Sequence, residues 1–246
     1  MKILVCVSKT PETTANISFT GDNKNLDTNG LQYIMNPYDE WYALVRALEL
    51  KEQLGGSVSI INVGTADNDP VIRKGLAIGA DEAVRIDAEA KSSLFVAKQI
   101  AAYAKEQGFD LVMLGKESID YNGSLVGGML AELLDLPYIS YATSLEINGT
   151  TAKLEREIEG GTEVCEVETP FVLSAAKGMA EQRIPNMRGI MMAKRKPLNV
   201  VAAQDGTSNE SVSHYELISK DRNIKIIDAE NMAELVKLLH EEAKVI

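Results

Sequence analysis

The stretch from Asp110 to Leu134, DLVMLGKESIDYNGSLVGGMLAELL, decides how this chain reads. It opens on four apolar residues in a row, Leu111-Val112-Met113-Leu114. A run without polar alternation is a strand covered on both faces, as in a parallel sheet. Gly115 closes the run and a polar loop follows. Val126, Met129, Leu130, Leu133 and Leu134 then recur at helical spacing. Gly123 gives the loop freedom to approach a ligand, and Asn122 or Ser124 is placed to cap the helix. A strand, a glycine-bearing loop and a helix N-terminus together present main-chain N–H groups to a phosphate. An ordinary βα connection has the same order of elements, so the stretch speaks to architecture before ligand. Gly115-Lys116-Glu117-Ser118 is not a P-loop, because the upstream glycine of that motif falls on Asp110.

Working outward, Ile3-Leu4-Val5-Cys6-Val7 is a second unbroken apolar run and a second buried strand. Ser8 to Leu31 is polar and long for a connection, which points to function. Ile17-Ser18-Phe19 and Leu31-Gln32-Tyr33-Ile34 are candidate short strands within and after it. Asn36 has the chemistry of an N-cap and Pro37 that of a first helical residue, with Asp39 and Glu40 supplying first-turn charge. Trp41, Leu44, Val45 and Leu48 continue that helix toward Gly55-Gly56, and Trp41 belongs to the core by spacing. Strand Val58–Val63, a helix from Asp69-Pro70 to Gly79, strand Ala83–Ile86 and helix Ser92–Gln107 follow, the last with Leu94, Phe95, Ile100 and Ala101 inward. This alternation predicts an α/β fold, a doubly wound and mostly parallel sheet. Ligands of such sheets bind beyond the carboxyl ends of strands. The loops opening at Ser8, Gly64 and Gly115, and the helix start at Asn36, meet there.

The second half changes character. Tyr138–Ile147, the turn Asn148-Gly149 and Thr151–Ile158 read as a β-hairpin extension. Thr162–Glu168 alternates, and Pro170–Ala175 returns an apolar strand. Taken alone, Glu157 is a solvated strand carboxylate. Lys177–Met192 is rich in methionine, a soft and adaptable contact residue, and Ala193-Lys194-Arg195-Lys196-Pro197 adds a basic patch. Leu198–Lys225 is polar with little capacity to fold alone. Ala229–Glu242 is an amphipathic helix with Met232, Leu235, Val236 and Leu239 as its stripe. We expect an α/β domain over 1–190, including a contact loop at about 175–197, and a C-terminal arm over 198–246 that ends in a helix and wraps onto something.

The 246 residues are 45% apolar, ample for a core. The net charge of -11 argues against nucleic acid, which rewards clustered Lys and Arg, but not against a nucleotide held by backbone amides. Cys6 and Cys165 lie far apart in apolar or alternating runs, as buried reduced thiols do. His214 and His240 do not cluster with them, so a zinc site has no support and no metal is expected. The chain opens directly into a strand without a basic leader, and no stretch reaches the length of a membrane span, so a soluble, cytoplasmic protein is expected.

Several separated stretches together resemble one family, the β (small) subunits of electron transfer flavoprotein. They are Met35-Asn36-Pro37-Tyr38-Asp39-Glu40, Gly115-Lys116 through Asp120 to Gly127, and Leu154-Glu155-Arg156-Glu157-Ile158-Glu159-Gly160-Gly161 followed by Pro170. Glu181-Gln182-Arg183 and Ala193-Lys194-Arg195-Lys196 come after them in the same order. The resemblance covers nearly the whole chain. It implies an adenine-nucleotide-binding, Rossmann-like domain paired with an α subunit that holds most of a catalytic FAD. It implies an electron carrier rather than an enzyme, taking electrons from dehydrogenases such as those of acyl-CoA in fatty acid oxidation. The electrons pass to a membrane quinone oxidoreductase or another acceptor.

By the same resemblance, AMP contacts Cys6, the segment Asn36, Pro37, Tyr38 and Asp39, Val63, and the loop Gly115, Lys116, Glu117, Ser118, Ile119, Asp120, Tyr121, Asn122, Gly123, Ser124, Leu125 and Val126. Tyr38 and Glu157 match positions near the flavin, Glu157 pairing with an arginine of α. The region from Ala175 to Pro197 matches a loop that docks dehydrogenases. Met187 is its apolar anchor, and Arg183, Ile190, Met191, Lys194, Arg195 and Lys196 lie around it. The chain departs from the family pattern at Ser8, commonly lysine, at Glu117, commonly glutamine, and in Tyr121–Val126, which lacks the Asn-Gln-Thr type of loop. Some members carry a second FAD in place of AMP and bifurcate electrons, and Val126-Gly127 leans toward them. A free-standing nucleotide-binding regulator of universal-stress-protein type shares the fold but needs neither the basic loop nor the arm. An enzyme with its own catalytic centre lacks a nucleophile–base pair.

Overall fold

The computed structural model describes residues 1–206, 210–218 and 224–246. By contacts the chain divides into a main unit, residues 1–17 and 27–213, and a small unit, residues 18–26 and 214–246.

The main unit is built on nine strands: β1 (Lys2–Cys6), β4 (Ser57–Val63), β5 (Glu82–Asp87), β6 (Leu111–Gly115), β7 (Tyr138–Asn148), β8 (Thr151–Ile158), β9 (Gly161–Glu168), β10 (Phe171–Ala175) and β11 (Leu198–Ala202). Their spatial order is β11-β5-β4-β1-β6-β10-β7-β8-β9. From β11 through β7 every pairing is parallel, and β7, β8 and β9 continue as an antiparallel meander. Strands β2 (Lys9–Pro11) and β3 (Tyr33–Met35) pair separately, antiparallel, at the root of the first loop.

The unbroken apolar runs lie in the middle because successive residues feed opposite faces. Ile3 and Val5 join one apolar cluster with Leu44, Leu48, Ile72 and Leu76, from helices α1 (Asp39–Leu54) and α2 (Asp69–Ile78). Leu4 and Cys6 join the other with Phe95, Ile100 and Leu130, from α3 (Ser93–Gln107) and α4 (Val126–Leu134). Helices therefore cover both faces, as the alternation of elements predicts. Trp41 is buried against the first cluster. Leu94, expected inward, is only half-buried on α3.

Three local expectations change. Asn36 does not cap α1, which starts at Asp39 behind Tyr38. Neither Asn122 nor Ser124 caps α4, where the flanking residue is Leu125 and no side chain caps the helix. Leu198–Ala202, in the stretch assigned to the arm, adds a parallel edge strand to β5. Of the two candidate strands around the first loop, Tyr33-Ile34 falls in β3, and Phe19 makes a single bridge to Leu26.

In the small unit, the Phe19 and Tyr215 rings stack at 4.8 Å and Tyr215 N–H donates to Asn23 O. The C-terminal helix α6 (Met232–Lys237) is capped by Asn231 and runs into a wider turn, Leu238–Glu242. None of their residues is buried. Parts of the arm, 207–209 and 219–223, lie outside the described residues.

Candidate nucleotide crevice and partner-facing helix

From β1 the chain moves outward to β4 and β5, then crosses back to place β6 on the other side of β1. The order reverses between β1 and β6, and a doubly wound sheet opens a crevice at such a point. The sequence-selected residues gather there. Cys6 and Val63 end β1 and β4 with side chains turned into the apolar cluster, so main chain is what they offer the tips. Burial, then the Glu40 carboxyl, pushes the Cys6 thiol far above its usual range and keeps it an inert thiol.

Helix α1 begins in the crevice because Gly115 lets it. A Cβ at Gly115 would stand 2.8 Å from Glu40 N. Asn36, fully buried, then ties the helix entry to the loop after β6. Its Nδ2 donates to Glu117 O at 2.9 Å, and its Oδ1 accepts from Ile119 N at 3.0 Å. Its own N–H donates to Ser8 O. Between them Tyr38 takes φ 63 and ψ -99, a conformation rare outside glycine, with its ring exposed.

Glu40 joins the loop after β1 to this assembly: its carboxylate accepts from Ser8 N at 2.7 Å and from Ser8 Oγ at 2.6 Å. Burial pushes this carboxyl up to about 8, against the pull of the Ser8 hydrogen bonds. Burial also pushes Asp39 up to about 6, opposed by Lys116. Lys116 pairs with Glu117 at 3.4 Å and lies 5.6 Å from the Tyr141 ring centre. On the other flank Asn62 donates to Val7 O and accepts from Asn68, whose side chain occupies the space beside Gly64. Ser8, Glu40, Asn62 and Asn68 carry no local pattern. Their partners are spatial, and only the acidic first turn of α1 hinted at one of them.

The far wall is the loop to α4. Asn122 and Ser124 have φ of 50 and 51, while Gly123 between them is not left-handed. Asn122 N–H donates to Ser118 O, which leaves the N–H groups after it as the main-chain donors of this turn. Nothing lies within 4 Å of a Cβ built on Gly123. Helix α4 follows at once, its first-turn amides uncapped by any side chain. It sits close on β7, since a Cβ at Gly127 would meet Tyr138 Oη at 2.5 Å. A separate hollow of about 440 Å³ runs along α3, lined by Lys98, Lys105, Leu133 and Asp205 among others, and takes in no crevice residue.

Glu157 stands exposed on β8, opposite Thr162 on β9. The loop after β10 carries the short helix α5 (Met187–Ala193), capped by Asn186. Met187, Ile190 and Met191 are exposed on it, together with Lys194 and Arg195 beyond it. Two partner-facing candidates are engaged within the chain instead. Arg183 holds Glu52 of α1 through two bonds of 2.7 and 3.1 Å, and its carbonyl accepts from Trp41 Nε1. Lys196 turns inward to α2.

Fold and crevice together place the chain among the Rossmann-like α/β proteins, whose ligand site lies at the reversal of strand order. Residues 24–206 match the model of the electron transfer flavoprotein domain. The chain is 36% identical to electron transfer flavoprotein subunit beta of Bacillus subtilis (strain 168), covering 100% of both chains. It is 33% identical to the same subunit of Bradyrhizobium diazoefficiens, again over 100% of both. Against the human subunit it is 33% identical over 83% of this chain and 82% of that one. The chain belongs to the electron transfer flavoprotein family, among its beta subunits. Among the described residues no helix is long and apolar enough to cross a membrane.

Proposed function

We propose that this chain is the small subunit of a heterodimeric electron carrier, paired with an electron transfer flavoprotein alpha subunit and holding AMP in its crevice. The observation that carries the nucleotide is the turn at 122–124, where two left-handed residues flank Gly123, open space lies beside it and a helix uncapped by any side chain follows. An adenylate phosphate suits that donor set. FAD held mainly by the partner supplies the redox chemistry when bound. In this reading the exposed Tyr38 and Glu157 are the groups this chain extends toward it. Exposed Met187, with Ile190 and Met191 beside it, is the apolar anchor for dehydrogenases. Electrons then leave to a quinone oxidoreductase or another acceptor.

Mass spectrometry of small molecules released from the denatured heterodimer tests this. One FAD and one AMP per dimer is the expected result. FAD without an adenylate would overturn the crevice assignment, and two FAD would move the chain to the electron-bifurcating members. A preparation in which no flavin band depends on both chains would overturn the carrier itself.

A further inference from the structure

Helix α5 faces the wrong way for its own stability. It has seven residues, far short of the length at which an isolated helix persists in water. Its apolar burial is thin: Met187 is 74% exposed and Met191 67%, Ile190 and Met192 are about half covered, and only Ala193 is buried. Apolar burial therefore holds it only in part, and polar contacts to α2 add to the hold. Arg73, on α2, donates from Nη1 to Ala193 O at 2.8 Å and to Lys196 O at 2.6 Å. Lys196 answers in the opposite direction, its Nζ donating to Leu76 O at 3.0 Å and Ala80 O at 2.5 Å. Leu76 O is in the last turn of α2, where acceptors lack helical partners and positive charge is favoured, and Ala80 O lies just past it. Between the two cations the helices meet backbone to backbone. A Cβ at Gly189 would stand 2.5 Å from Ala77 O.

We propose that Arg73 and Lys196 are positioning residues, a reciprocal cation–carbonyl clasp that presents α5 already formed to the docking partner. The proposal rests on the reading of α5 as the dehydrogenase-facing surface. Lys196 then contributes no docking charge, and Arg188, Lys194 and Arg195 carry that role. A surface ordered beforehand spares the encounter the entropy of ordering seven residues on contact.

The test uses the heterodimer with R73M, K196M and K196R, with M187A as reference. Amide hydrogen exchange across 186–196 reports the mount. Flavin reduction by a substrate-reduced acyl-CoA dehydrogenase, at two ionic strengths, reports docking. R73M and K196M should speed exchange and raise the KM for the dehydrogenase roughly tenfold, with kcat and the salt dependence unchanged. K196R, which keeps a donor able to reach both carbonyls, should restore both readouts. Exchange at the parental rate in R73M and K196M would overturn the clasp. So would a K196M dimer whose salt dependence falls while exchange stays slow, because that is how a docking charge behaves. An unchanged KM in M187A would overturn the docking reading alone, and the exchange data would still decide the clasp.

Discussion

Replacing Asn36 with alanine separates a helix cap from a loop clamp. The side chain is fully buried, and its two hydrogen bonds join the entry of α1 to the loop after β6. Alanine strands two groups, the carbonyl of Glu117 and the N–H of Ile119. A buried polar group left unpaired costs about 1–3 kcal/mol, and this loop has an exposed side through which water can relieve it. The expected loss is therefore about 2–4 kcal/mol, in the lower half of the two-group range. For a chain of this size that lowers Tm by roughly 5–15 °C. Asn36→Asp keeps the acceptor for Ile119 N but sets a second acceptor against Glu117 O. It should be no better than alanine at neutral pH and should recover on acidification. Urea and thermal unfolding of the heterodimer give the stability, and adenylate content on the same samples gives the crevice. An N36A protein within about 0.5 kcal/mol of the parent, with full adenylate, would show that these bonds do not hold the loop to the helix.

Three further outcomes follow from the same geometry. Burial pushes the Glu40 carboxyl up to about 8 in the folded chain against 4.5 for an ordinary glutamate. The folded state therefore holds an extra proton between those values, and this contribution, complete below the lower one, is lost as pH rises toward the upper. The slope within the window is about 1.4 kcal/mol per pH unit, and Glu40→Gln should flatten it in urea midpoints taken from pH 5 to 8; an unchanged slope would remove Glu40 as its source. Gly115→Ala should destabilise by about 1–3 kcal/mol, because its Cβ meets the α1 backbone, whereas Gly123→Ala should leave the urea midpoint in place; equal effects would refute the packing argument. Cutting the chain after Ser213 removes most of the small unit and leaves β11 paired with β5, so it should weaken association with the alpha subunit while main-unit stability holds. An equally tight dimer in analytical ultracentrifugation would refute a wrapping arm, whereas a cut before Leu198 would confuse the two effects by stripping a strand.

Most of the sheet was legible because it is buried on both sides. Ile3–Cys6, Val58–Val63 and Leu111–Leu114 have no solvent face to encode, so their composition alone marks them, and Asn148-Gly149 marks the hairpin turn. Strand β11 escaped because it is an edge strand, exposed along much of its length, and its partner β5 lies more than a hundred residues upstream. Asn36 misled for a related reason. Its side chain has the chemistry of a cap, but two acceptor–donor partners some eighty residues away outcompete the nearest helix amides. Lys196 read as part of a basic patch because the sequence shows its charge and not its direction.

The acidic start of α1 looks like a poor neighbour for a phosphate. Asp39, Glu40, Glu117 and Asp120 bring four formal negative charges to the crevice against Lys116. The folded chain reduces that count. Burial keeps Glu40 largely protonated at neutral pH, and an uncharged carboxyl hydrogen-bonded to Ser8 repels nothing. Asp39, pushed up to about 6, is ionised at neutral pH but lies beside Lys116, whose amine the carboxylates hold above its usual value. Glu117 is paired with the same lysine. The local charge is thus less negative than the four carboxyls suggest, set against the N–H groups that follow Asn122, whose own N–H donates to Ser118 O, and the first turn of α4. A phosphate entering there would push Glu40 and Asp39 further up. Adenylate binding should therefore take up protons, Asp39 contributing most just above pH 6 and Glu40 contributing increasingly as pH rises toward 8. Titration calorimetry in buffers of different ionisation enthalpy reads that fraction directly, and a binding enthalpy independent of buffer would mean that the phosphate does not sit beside these carboxyls.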